Sequence, residues 1–143
     1  GTDHAPFNFH GQKDMGIDNF TLIPNGIPSI QERVDLVHTY GVCKGKIDFQ
    51  TMVDVCSTNV AKQFNMYPQK GVLAIGSDAD IVVYDPNFSG IFTHEDGLSR
   101  IDYSGYEGMP RRGRSDVVFL RGKIVAEQGK FVGETGAGLY IAR

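Results

Sequence analysis

Apolar residues recur at helical spacing in the first half of the chain and form strand-like runs in the second half. Positions i, i+4 and i+7 share one face of a helix. Ser29 begins a capping-box pattern, because Glu32 lies three positions later. We therefore predict a helix that Ser29 caps and that ends or breaks near Gly41. Its apolar face consists of Ile30, Val34 and Val37.

A second helix is predicted from about Asp48. Five residues of that segment keep helical spacing. They are Phe49, Met52, Val53, Cys56 and Val60. The sequence STN at 57–59 brings together three residue types that favour caps over helix interiors. We therefore predict a break at 57–59 and a short third helix through Phe64.

Glycines and prolines punctuate residues 1–27, which we predict to be loops. Within them, the sequence PNG at 24–26 predicts a tight turn, since Asn and Gly tolerate positive φ. After Pro68 the pattern becomes strand-like. Residues 81–84 form an apolar run, which we expect to end at Asp85 and Pro86.

Residues 116–132 read as strand, turn, strand, turn, strand, with tight turns at Gly122-Lys123 and near Gly129. The polar sequences HEDGLS and GYEGMPRRGR, which lie between the two strand regions, are predicted to be surface loops. This order of helices followed by strands is not the alternation of a complete α/β domain. It indicates the end of one domain joined to part of another.

The composition excludes some classes of partner. The formal net charge of −3 gives no general attraction to nucleic acid or to an anionic membrane. No apolar stretch approaches the roughly 20 residues that span a bilayer. Arg111, Arg112 and Arg114 could contact a phosphate, but a solvated loop explains them more simply. Cys43 and Cys56 lack metal-site spacing, and we expect two reduced thiols.

Asp3 and His4 are the first residues along the chain whose side chains could take part in catalysis or metal binding. A carboxylate can bind a divalent metal or accept a proton from water. For Asp3 taken alone, a surface or loop-capping role is the simpler interpretation. The other histidines are scattered and form neither H-x-H nor H-E-x-x-H. Since a metal site needs three or four ligands, a self-contained metalloenzyme is disfavoured.

Four segments in a fixed order carry a resemblance to a known family. They are TDHAPFNFHGQKDMG, DNFTLIPNG, STNVAKQFNMYPQKGVLAIGSDADIVVYDP and YEGMPRRGRSDVVFLRGKIV. Together they resemble the hydantoinase/dihydropyrimidinase family of metal-dependent cyclic amidohydrolases. GSDADIVVYDP alone would indicate only the wider amidohydrolase superfamily, whereas IPNG and YEGM narrow the resemblance to this branch.

The resemblance implies an α/β parent, a (β/α)₈ metallohydrolase barrel with a β-sandwich domain. A barrel takes about 250 residues, so this chain would be the C-terminal piece of such a protein. Residues 1–66 would be the end of the catalytic barrel, with its last loop and helices. Residues 67–143 would be antiparallel sandwich strands and a tail.

The resemblance also assigns residue roles. Asp3 matches the family aspartate that binds one metal of a two-metal centre, expected to be two Zn²⁺, and that accepts a proton during attack on the ring. Asn25 matches the residue whose backbone contacts the cyclic substrate. The other family ligands, an H-x-H pair, a carboxylated lysine and two histidines, are not in this chain.

The implied parent hydrolyses dihydropyrimidines or 5-substituted hydantoins to N-carbamoyl amino acids. Its expected partners are a small cyclic diamide and further copies of itself, in a cytoplasmic dimer or tetramer, with neither nucleic acid nor membrane. The isolated chain is expected to be inactive and to expose the apolar faces of its helices. The alternative is a dihydropyrimidinase-related protein that has lost catalysis and acts as a protein-binding scaffold.

Overall fold

The computed structural model describes residues 2–142 of the chain. Residues 2–32 are mostly irregular and contain two short 3₁₀ turns, Lys13–Gly16 and Phe20–Leu22. A parallel bridge joins His4 to Ile27 and closes this region into a loop. The prediction of a loop region is thus confirmed, and the bridge gives it a fixed end-to-end geometry.

Two helical stretches follow, and each includes a turn of π-helix. The first comprises α1 (Arg33–Val37) and the π turn His38–Val42. The second comprises α2 (Phe49–Val53), the π turn Asp54–Thr58 and α3 (Asn59–Gln63). Inserted π turns widen a helix locally and re-aim the side chains beyond them.

The predicted start of the second stretch is confirmed, because the Asp48 carboxylate accepts the Thr51 amide at 2.7 Å as an N-cap. The predicted end near Gly41 is also confirmed, because the first stretch ends at Val42. Two other helix predictions were wrong. Ser29 does not cap α1, whose first residue is Arg33. The second stretch does not break at 57–59, because its helical backbone passes from the π turn Asp54–Thr58 directly into α3.

Four antiparallel strands form one sheet in the order β1-β2-β3-β4. They are β1 (Ile81–Ile91), β2 (Pro110–Leu120), β3 (Lys123–Glu127) and β4 (Lys130–Phe131). The predicted meander is confirmed, although the first turn lies one residue earlier. Arg121 and Gly122 both have positive φ, +48° and +78°, as in a two-residue type I′ hairpin turn.

Two predictions about the sheet were wrong, one on the end of β1 and one on the start of β2. β1 does not stop at Asp85 and Pro86 but runs on to Ile91, because a shift in register between Asp85 and Ser89 accommodates the proline. The sequence PRRGR is not a surface loop but the first five residues of β2, in which Gly113 is buried.

The buried apolar core of the described residues is small. Met52, Ala61 and Phe92 are buried apolar side chains, and Pro28 is enclosed as well. By contrast, Ile30 is 57% exposed and Phe20 is 81% exposed. The expectation that helical apolar positions lie open is confirmed for Ile30, Phe49 and Val53, whereas Val34 and Val37 are half-buried. Within residues 2–142, no helix is long and apolar enough to cross a bilayer.

Candidate active site

Asp3 lies at the start of the described chain, on the loop that pairs with residues 25–30. Its side chain is exposed, and its φ of +48° lies in the left-handed region that non-glycine residues seldom adopt. Such a conformation persists only where neighbouring contacts hold it in place. The contacts on either side of Asp3 do this.

Thr2 and His4 are both bonded to the turn at Ser29. The Ser29 hydroxyl donates to the Thr2 carbonyl at 2.9 Å. The Nδ1 atom of His4 accepts two backbone amides, those of Ser29 at 3.0 Å and Ile30 at 3.2 Å. The residues before and after Asp3 are therefore fixed to one turn.

The bonds to His4 also define its tautomer. A ring nitrogen that accepts N–H groups carries no proton, so neutral His4 holds its proton on Nε2. A histidine that binds a metal through Nε2 usually donates from Nδ1 to a neighbouring acceptor. His4 has the opposite arrangement, which suits a structural role and not metal ligation.

Asn25 lies at an exposed bend, called the Asn25 turn below, that packs on the Asp3 segment. Of the two residues predicted to have positive φ in this turn, only Gly26 does. The next residue, Gly26, has a φ of +116°, and a Cβ at this position would lie 2.4 Å from the Cβ of Ala5. The amide of Ala5 donates to the Ile27 carbonyl at 3.2 Å. Close approach of the two backbones thus requires glycine at position 26.

Lys13 holds the same turn from the other side. Its ammonium donates to the carbonyls of Pro24 and Gly26, the two residues that flank Asn25. The ammonium also lies 5.5 Å from the centre of the Phe7 ring. The main chain around Asn25 is therefore fixed by a charged side chain, while the Asn25 side chain remains exposed.

The structure places the segments of the two predicted site residues side by side. In a parallel pairing of His4 with Ile27, residues that precede each partner lie toward the same end. Asp3 is one residue before His4, and Asn25 is two before Ile27. The Asp3 segment and the Asn25 turn therefore run alongside each other.

An open cleft of about 380 Å³ lies beside His4 and the residues that follow it. Its walls come from the first segment and from the loop after β1, through His4, Pro6, Asn8, Gln12, Ser99, Arg100 and Ile101. Asp102 connects the two walls, because its carboxylate accepts the amides of Phe9 at 2.6 Å and His10 at 3.0 Å. These bonds lower the pKa of Asp102.

Asp3 does not form a metal site with the other residues that the structure describes. Among residues 2–142, no group of three or more His, Cys, Asp or Glu side chains could hold a metal ion. His38 bonds the Arg112 carbonyl at 2.7 Å and His94 bonds Glu107 at 3.1 Å, both away from Asp3. A divalent ion at Asp3 would need its remaining ligands from outside the chain.

A buried ionic cluster joins the helices to the sheet. Arg111 forms a 2.6 Å ion pair with Asp35, whose other oxygen accepts the Tyr84 hydroxyl at 3.0 Å. Burial raises the pKa of Asp35, while Arg111 and Tyr84 act in the opposite direction. Burial and the adjacent Asp35 raise the pKa of Tyr84, which keeps its hydroxyl as the donor. The prediction of a solvated arginine loop was therefore wrong for Arg111.

Cys56 lies in the second helical stretch, and Cys43 directly follows the first, where its sulfur is 3.7 Å from Nδ1 of His38. Both are free thiols, with Cys43 exposed and Cys56 partly buried. Burial raises the pKa of the Cys56 thiol, which leaves it protonated and unreactive.

Sequence reasoning singled out Asp3 and Asn25 but missed the residues that hold their segments in place. Ser29 was assigned to a helix cap, yet it bonds the Asp3 segment. Lys13 was not singled out, although a cation close to PNG in the sequence was visible. The role of His4 depends on partners 25 and 26 positions away, which no local pattern reveals.

Comparison with known proteins gives a consistent match. The sequence pattern of the amidohydrolase family matches residues 1–125. The chain is 41% identical to the D-hydantoinase of Geobacillus stearothermophilus over 143 residues, all of this chain and 30% of that protein. It is also 41% identical to the dihydropyrimidinase of Rattus norvegicus, again over the whole chain and 27% of the relative.

Solved structures agree with the sequence matches. The D-hydantoinase of Bacillus sp. AR9 superposes with a TM-score of 0.94 at 45% identity, over 99% of this chain and 31% of that one. The dihydropyrimidinase of Brevibacillus agri NCHU1002 gives 0.94 at 48% identity with the same coverage. The chain thus spans about 30% of the length of these relatives.

Proposed function

The chain belongs to the amidohydrolase family, and we propose that the whole protein is a cyclic amidase that opens dihydropyrimidines or 5-substituted hydantoins. The observation that carries this proposal is the match over the entire chain to proteins named D-hydantoinase and dihydropyrimidinase. A TM-score of 0.94 to solved structures of both names extends the likeness from sequence to fold.

The proposed reaction is hydrolysis of the cyclic amide bond. The oxygen of water joins the ring carbonyl carbon, the ring C–N bond breaks, and the departing nitrogen takes a proton. The product is an N-carbamoyl amino acid. A positioned carboxylate that accepts the proton of the attacking water contributes about 10²–10⁴-fold to such a reaction. We assign this role to Asp3, whose exposed side chain and fixed backbone support the assignment.

We propose that the main chain at Asn25 orients the ring. A planar ring with alternating N–H and C=O groups is well matched by backbone donors and acceptors in a rigid turn. The two Lys13 bonds and the tight contact at Gly26 support this role, because they hold the turn against Ala5.

Amidohydrolases generally use divalent metals, and we propose that the protein uses two zinc ions. Asp3 would provide one carboxylate ligand, a donor type that zinc accepts, and the other ligands would lie outside this chain. When bound, two metals polarise the carbonyl and lower the pKa of water.

We further propose that residues 1–66 are the end of the catalytic barrel and that residues 67–143 belong to the β-sandwich domain. The change from helices, which end at Gln63, to a sheet that begins at Ile81 supports this division. A cytoplasmic homodimer or homotetramer and an inactive isolated chain complete the proposal, on the likeness to the family alone.

The test is metal content together with hydrolysis of dihydrouracil and hydantoin by the full-length protein. We expect about two metals per subunit and an N-carbamoyl product identified by mass spectrometry. A protein that binds no metal and opens neither ring would contradict the proposal and favour a scaffold that has lost catalysis.

A further inference from the structure

The Nδ1 atom of the His4 imidazole binds the main chain that surrounds Asp3. This atom receives the amides of Ser29 and Ile30 at 3.0 and 3.2 Å, although these residues lie 25 and 26 positions away. Two amides converging on one side-chain acceptor form a clamp between the first segment and the 29–30 turn. We call this arrangement the His4 clamp.

The clamp acts on the backbone of Asp3. Ser29 bonds Thr2 on one side of Asp3 through its hydroxyl, and it bonds His4 on the other side through its amide. Asp3 lies between these anchors with a φ of +48°. A non-glycine residue in this region is strained, and its surroundings must hold it there.

We propose that His4 is a positioning residue that aims the Asp3 carboxylate through Nδ1, and not a residue that reaches substrate or metal through Nε2. This inference rests on the proposed function insofar as Asp3 serves the reaction. The clamp itself, however, is a property of hydrogen bonds that can be measured without any activity.

Two conservative substitutions distinguish the role of Nδ1 from the role of Nε2. In His4→Asn the side-chain oxygen occupies approximately the place of Nδ1 and can accept both amides. In His4→Gln the amide group extends toward the place of Nε2 and the acceptor near the turn is lost. His4→Ala removes both functions, and His10→Gln serves as control, because the His10 side chain is exposed in the same segment.

The experiment uses the full-length protein and measures kcat and KM with dihydrouracil, metal content, and hydrogen exchange of a peptide that spans 27–32. We expect His4→Asn and the control to retain the wild-type kcat and the wild-type rate of hydrogen exchange in the 27–32 peptide. We expect His4→Gln and His4→Ala to lower kcat about 10–100-fold, as losses of outer-shell partners do. KM should change little, and exchange at 29–30 should accelerate in both variants.

Each contrary result has a defined meaning. If His4→Gln retains the rate and His4→Asn loses it, His4 acts through Nε2 and the positioning proposal is overturned while the proposed function stands. If the wild type opens neither ring, the proposed function fails. In that case hydrogen exchange tests the His4 clamp by itself. Equal exchange rates in all variants would overturn the clamp. Should His4→Ala not fold, the Asn and Gln variants still decide.

Discussion

The carboxylate of Asp35 and the guanidinium of Arg111 meet at 2.6 Å in the interior, where α1 packs against β2. The side chains are 7% and 19% exposed, so water screens the pair little. Removal of one partner from a buried pair costs about 3–5 kcal/mol, because the other charge stays buried. This contact therefore fixes the helical half of the molecule to the sheet.

The first prediction concerns this ion pair. Asp35→Asn leaves Arg111 buried without a counter-charge, and we expect the urea midpoint of the full-length protein to fall by the equivalent of about 3–5 kcal/mol. The matched control is Asp116→Asn, whose pair with Arg114 is 33% and 36% exposed and should contribute about 0–1 kcal/mol. Equal losses in the two variants would show that the buried pair has no special role.

The second prediction uses two glycines of nearly equal φ. Gly113, at +78°, has no room for a Cβ, which would lie 2.6 Å from the Tyr84 hydroxyl oxygen. Gly129, at +77°, has nothing within 4 Å. Gly129→Ala should cost only the left-handed strain, about 1–2 kcal/mol. Gly113→Ala should cost about 1–3 kcal/mol more from overpacking. Thermal melting of both variants measures the difference, and equal melting temperatures would contradict it.

The third prediction tests whether close approach at Gly26 holds the site together. A Cβ at position 26 would lie 2.9 Å from the Ala5 carbonyl oxygen and would push the Asn25 turn away from the Asp3 segment. We expect Gly26→Ala to lower kcat/KM for dihydrouracil, by about 10²-fold for a displacement of about 1 Å. Gly11→Ala, also at positive φ but in open space, should retain activity. A fully active Gly26→Ala enzyme would refute a site shared by the two segments.

The fourth prediction concerns Lys13. Lys13→Met keeps the length of the side chain but removes the donor to the carbonyls that flank Asn25. Since the turn is proposed to bind the ring, we expect KM to rise more than kcat falls. Lys44→Met, at an exposed position, is the control. A change in kcat alone would contradict this prediction and would indicate that Lys13 supports the chemical step and not ring binding.

The fifth prediction is a pH dependence at Asp102. The Phe9 and His10 amides lower its folded-state pKa below the ordinary value of 3.8. A lowered pKa means that the ionised form is the stabilising one. The contribution is therefore present above pH 3.8 and disappears as the pH falls through the folded-state pKa. The melting temperatures of wild type and Asp102→Asn should converge in that acid range. The comparison variant is Asp18→Asn, which removes an exposed carboxylate of the first segment.

Local signals in the sequence predicted what local contacts determine. The Asp48 cap and the strands of residues 116–132 depend on neighbours within a few positions, and both predictions were confirmed. The Ser29 cap failed because His4, 25 positions away, captures the Ser29 amide. Arg111 was assigned to solvent because no local sequence pattern indicates that Asp35, far away in the sequence, is its partner.

The candidate site shows the same division. The resemblance to a family pointed to Asp3 and Asn25, and the parallel bridge between His4 and Ile27 places their segments side by side. Composition and spacing alone could not have paired them, since a single bridge is too short to leave a pattern. The supporting contacts of His4 and Lys13 follow from tertiary packing and needed the structure.

The most direct test of the central claim is the rate of ring opening by the full-length Asp3→Asn variant, measured beside Asp18→Asn. The substitution keeps size and removes the charge that accepts a proton. We predict that Asp3→Asn lowers kcat on dihydrouracil or hydantoin by at least about 10²-fold, while Asp18→Asn retains the wild-type rate. An Asp3→Asn enzyme with wild-type kcat would contradict the assignment of Asp3 as the reacting carboxylate.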